Sequence, residues 1–136
     1  MGLASLSPVR AANAGADLHL KHPATGEPLF ETVKGKQVPA TILLYGRDSA
    51  AVKEATKLVE QRRAKGEDIT PEDAGILILT AAIGGWSAAI GISKAGDIPF
   101  TPENARILLT NPDTAWVAEQ IGPFSMSRRN FPPKAG

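Results

Sequence analysis

Cysteine is absent from the 136 residues, which excludes disulfides, thiolate nucleophiles and the thiolate ligands of most structural zinc sites. That usage is compatible with a reducing cytoplasm. Histidine occurs only at His19 and His22. A separation of three puts two rings on opposite faces of a strand, so they do not converge on a metal. Net charge is nearly missing too. Fifteen basic against 14 acidic side chains leave +1, so there is no long-range field to recruit nucleic acid. Met1 to Pro8 lack the charged start and apolar run of a signal peptide.

The patterns of nucleophilic and phosphate chemistry are missing as well. Ser49 follows Asp48 without a Gly-x-Ser-x-Gly elbow or a partner histidine, and reads as a helix cap. Lys34-Gly-Lys36 lacks the longer glycine-spaced cradle of a phosphate loop. Arg62-Arg63 and Arg128-Arg129 are isolated pairs, too few to make a phosphate-binding face. Glu72, Asp73 and Glu103 fall in first helical turns, where carboxylates are expected on electrostatic grounds. No enzyme motif and no cofactor site emerge.

What is present is organised around the stretch from Thr70 to Ser93. Thr70 is an N-cap, Pro71 suits the first helical position, and Glu72 and Asp73 complement the dipole. Ile76, Leu77, Ile78, Leu79 and Ile83 then place apolar groups on every face, as in a buried central helix or a membrane span. Gly75, Gly84, Gly85, Gly91 and five alanines make the stretch a poor span, and no Lys/Arg cluster flanks it. The expectation is a core helix outside any membrane, with Gly84-Gly85 admitting close packing and Trp86 in the core.

Around it the chain reads as α+β, a predominantly helical single domain over residues 17–131 with a small N-terminal antiparallel sheet. Residues 1–16 are Ala-, Gly- and Ser-rich and are expected to be a loose arm, and 132–136 a disordered tail. Asp17–Lys21, Leu29–Val33 and Val38–Tyr45 read as strands, with turn formers at 22–28 and Gly35 between them. Ser49 to about Ala64 is an amphipathic helix closed by Gly66. Lys94–Asp97 reads as a turn. Thr101-Pro-Glu-Asn starts a short helix with Ala105, Leu108 and Leu109 inward, and Asn111-Pro-Asp restarts one through Ile121. Gly122-Pro123 should interrupt it.

Several stretches without catalytic use occur in a fixed order: His22-Pro-Ala-Thr-Gly-Glu-Pro-Leu29, Tyr45-Gly-Arg-Asp-Ser49, Gly85-Trp86, Pro99-Phe-Thr-Pro-Glu-Asn-Ala-Arg-Ile-Leu-Leu109 and Arg128-Arg-Asn-Phe131. The set resembles the tail assembly chaperone family of long-tailed bacteriophages, from about Asp17 to Phe131. The resemblance implies a non-enzymatic protein of the host cell cytoplasm that binds the tape measure protein and keeps it soluble. It also implies recruitment of the tail tube protein and self-association into rings or spirals. The alternative is a structural tail or neck subunit retained in the virion. Client-binding residues would come from the amphipathic helix (Val52, Leu58, Val59) and from the later segment (Trp116, Phe124, Met126, Phe131). For each group the competing expectation is packing into the core.

Overall fold

A computed structural model describes residues 3–33, 35–87 and 99–132. Among them lie five α-helices, a three-stranded antiparallel sheet and a separate two-stranded one, a mixed α+β fold. A 3₁₀ turn over Leu3–Leu6 precedes α1 (Pro8–Ala14), where Ser7 caps and Pro8 stands first. The arm expected to be loose therefore carries helix. Ala12 explains why it docks: it is 2 % exposed and lies where a β-carbon on Gly46 would come within 3.0 Å.

The larger sheet has the order β1 (Ala16–His19), β4 (Thr41–Leu44), β5 (Ile83–Trp86). It is not confined to the N-terminal region, because β5 comes from the middle of the chain. Leu18, Ile42 and Trp86 stand in register across it, and Ala16, Leu44 and Ile83 form the next row on the same face. This period-2 set packs into the hydrophobic core with Leu108, Leu109, Val117 and Ile121. The stretch Val38–Tyr45 is not one strand but two. β3 (Lys36–Pro39) pairs with β2 (Phe30–Val33), and Ala40 separates it from β4. Gly35, at φ +78°, supplies the left-handed turn of that hairpin.

Helix α2 (Ala50–Ala64) is capped by Ser49, whose Oγ accepts from the Val52 N–H at 3.2 Å. Helix α3 (Pro71–Ala82) is capped by Thr70 in the same way, at 3.0 Å. It stops at Ala82, earlier than the apolar run suggests. Ile83 enters an extended conformation, and the Tyr45 N–H is held by the Ala82 carbonyl at 2.7 Å. Gly84 lets the Tyr45 ring press against the new strand, since a β-carbon there would lie 2.7 Å from it. Trp86 is accordingly a half-buried strand residue, packed against the core and edge-on to Phe100 at 5.1 Å.

Helix α4 (Pro102–Thr110) buries Ala105, Leu108 and Leu109, the inward set its periodicity predicts. Helix α5 (Ala118–Met126) runs straight through Gly122-Pro123, against expectation. Pro123 forfeits one intrahelical bond, and Gly122 has no β-carbon to clash with the proline ring. Lys94–Asp97, the end of the Thr70–Ser93 stretch and residues 133–136 lie outside the described residues.

Candidate functional site

Helix α3 is apolar on every side, and only Ala74 and Ala82 of it are buried. Ile76 to Ala81 all remain partly exposed. The physical reason is the number of neighbours. Leu79 reaches the core beside Gly122, whereas among the described residues α2 and α4 flank the helix without closing over it. Ile76, Leu77, Thr80 and Ala81 line an open trough of about 1270 Å³. One wall is the Ala51, Ala55 and Leu58 stripe of α2, and the other is Phe100 with the start of α4. The one hydroxyl on that floor is satisfied internally, since Thr80 Oγ1 donates to the Ile76 carbonyl at 2.7 Å. From Ile76 to Ala81 the floor presents hydrocarbon, with the Asp73 carboxylate at its start.

Topology orders the trough from end to end. α2 and α3 are joined by a short loop, so they run antiparallel. At the far end of α3, Gly84 meets Tyr45 and Trp86 meets Phe100. Both α2 and α4 therefore begin where α3 ends. The loop end is fixed by Arg63, whose guanidinium donates from Nε and a terminal nitrogen to the Ile69 carbonyl at 3.3 and 3.1 Å. The 12 residues of α3 give a floor about 18 Å long, which accommodates roughly three helical turns.

The contact residues expected from sequence fare unequally. Val52, Val59 and Phe131 are buried, at 4 %, 3 % and 6 % exposure, as core residues are. Phe124 and Trp116 are half-buried against the same core. Phe131 packs on the Phe124 ring at 5.7 Å and near Gly46, so the aromatic tail is pinned to the body because burial gains more than exposure. Met126 and Leu58 are exposed, and of the expected set Leu58 alone lines the trough. Ile76 and Leu77 line the trough and stand outside the expected set, although the all-round apolar pattern of α3 was the available signal.

The polar residues do structural work. His19 Nε2 lies 2.7 Å from the Leu29 carbonyl, and His22 Nδ1 accepts from the Ala24 and Thr25 N–H groups at 3.0 and 3.2 Å. Gln120 pairs with both backbone groups of Lys21, at 2.9 and 2.7 Å. Buried Ser125 donates to the Tyr45 carbonyl at 2.7 Å. Among the described residues no group of three His, Asp or Glu side chains is placed to hold a metal ion. No helix among them is long and apolar enough to cross a membrane. No family model matches the chain, and neither a curated protein nor a solved structure matches it significantly.

Proposed function

We propose that this chain is a non-enzymatic tail assembly chaperone that holds helical segments of a phage tape measure protein in the α2–α3–α4 trough. One observation carries the reading: among the described residues, a helix apolar on all sides keeps its Ile76, Leu77, Thr80 and Ala81 face open between two flanking helices. An amphipathic helix laid on that face buries its own stripe and completes the packing of α3. Energetics favour a reversible holder. Full burial of a Leu or Ile side chain is worth about 1.5–3 kcal/mol, and the trough residues are already partly covered, so each adds about 1 kcal/mol or less. Against the entropy of association such a surface retains its client weakly, as release during assembly demands.

In this reading the tail tube protein joins once the client is presented, and the protein acts in the host cytoplasm. Co-expression with the tape measure protein tests it. The wild-type chain keeps the tape measure protein in the soluble fraction, and Leu58→Asp, which puts a charge in the trough at an exposed position, does not. Equal solubility with both chains contradicts the proposal. Detection of the chain in purified virions favours a retained tail or neck subunit instead.

A further inference from the structure

The two walls of the trough are built differently. α4 is part of the core, since its Ala105, Leu108 and Leu109 pack with Leu44 and Ile121. α2 is not. Its buried residues Val52 and Val59 stand outside that cluster, and among the described residues no side chain of α2 belongs to it. The main neighbours of α2 are α3 and α1. One wall therefore shares the packing of the sheet, and the other lies as an outer layer against the floor helix. Elements with few buried apolar contacts occupy the low-stability end of a fold.

The ends of α2 differ as well. Its start is gripped by distant parts of the chain. The Gly46 N–H donates to the Ala12 carbonyl at 3.2 Å, the Arg47 N–H to the Ser125 carbonyl at 3.0 Å, and the Ala50 N–H to Asn13 Oδ1 at 2.8 Å. At its far end the polar contacts among the described residues stay within the following turn. Arg63 donates to the Ile69 carbonyl, the Glu67 N–H to the Arg62 carbonyl at 3.1 Å, and Arg62 pairs with Glu67 at 3.7 Å. Lys65 to Asp68 are exposed, and Gly66 has open space where a β-carbon would stand. α2 is thus pinned to the body at one end and attached at the other through its own loop.

We propose that α2 is a movable wall, pivoting at its gripped start while α3 and α4 stay fixed, so that the trough adjusts its width to helices whose apolar stripes differ in bulk. The inference rests on the reading of the trough as a helix-accepting site and adds its selectivity. The substrate class is amphipathic helices as a group, whatever the size of the side chains in the stripe. An adaptable surface of this kind suits a holder of successive, unlike segments. Helix axes pack about 8–10 Å apart according to the side chains at the contact, so the wall has to travel only about 2 Å.

Distances between spin labels test this on the full chain, whose lack of cysteine confines the labels to introduced sites. Glu60→Cys with Ile107→Cys spans the trough from wall to wall. Asp17→Cys with Ile107→Cys spans the core from β1 to α4 and serves as the reference, and all three residues are exposed. The probes are two synthetic amphipathic peptides of about three helical turns, one with a Leu stripe and one with a Trp stripe. In the free chain the wall pair should give a broader distribution than the reference pair. Each peptide should narrow it, and the Trp-stripe peptide should hold the walls about 2 Å farther apart than the Leu-stripe peptide, with the reference pair unmoved. A wall pair as narrow as the reference in the free chain, one wall distance with both peptides, or binding of one peptide and not the other overturns the proposal. Circular dichroism checks that each labelled chain is folded. Both peptides bound at a single wall distance defeat the movable wall alone. A broad wall distribution in a chain that binds neither peptide defeats the helix-accepting reading alone.

Discussion

The Arg128 guanidinium grips the Asp48 carboxylate through two hydrogen bonds, at 2.7 and 2.9 Å, across 80 residues of chain. The pair ties the end of the molecule to the loop that opens α2. Its hydrogen bond and charge hold the Asp48 carboxyl below its ordinary pKa. A depressed folded-state pKa adds stability above the unfolded value, near 3.9, and loses it as pH falls through the lowered one. Asp48→Asn should therefore lower the melting temperature at neutral pH and shrink its fall between about pH 5 and pH 2. Identical acid profiles for the two chains would show that the pair is idle.

Gly84 and Tyr45 form a tighter relationship. A methyl at Gly84 would sit 2.7–2.8 Å from the Tyr45 ring carbons and hydroxyl. Gly84→Ala should cost about 1–3 kcal/mol, as overpacking does. In a Tyr45→Leu background the same substitution should cost much less, since the ring is gone. Additive effects in a double-mutant cycle by urea denaturation would contradict the contact.

Gln120 supplies both partners to the Lys21 backbone and so joins α5 to the end of β1. Gln120→Ala should destabilise the fold by about 1–2 kcal/mol, the net loss of two modest hydrogen bonds. Amide exchange at Lys21 should accelerate in step. Unchanged exchange there would remove the clamp from the account.

Leu108 and Leu58 distinguish core from trough. Leu108 is 1 % exposed and Leu58 44 %. Leu108→Ala should cost about 2–5 kcal/mol, and Leu58→Ala about 0.5 kcal/mol or less. Only the second should weaken client retention at unchanged stability. Thermal melts with a client-solubility assay check both.

Local signals were the legible part of this chain. The caps at Ser49, Thr70 and Thr101, the last two with their prolines, the inward stripe of α4 and the Gly35 turn all depend on neighbours within a few residues. What was not legible depends on distant ones. β5 forms because β4 offers Ile42 and Leu44 as partners, and this ends α3 at Ala82 despite an apolar sequence that would continue. Phe131 is core because Gly46 leaves room for its ring. For the trough the pattern was visible but its meaning was not. An all-round apolar helix states how much surface there is to cover, and only the placement of α2 and α4 shows that they leave part of it open.

Methyl NMR on the full chain tests the trough most directly, by titration with a peptide of about three helical turns from a tape measure protein bearing an i, i+3, i+4, i+7 apolar stripe. The account predicts saturable shifts at Leu58, Ile69, Ile76 and Leu77, with Leu18 and Leu44 on the sheet unmoved. Saturable binding that leaves the trough methyls in place and shifts another surface, or no binding at millimolar peptide, would contradict it.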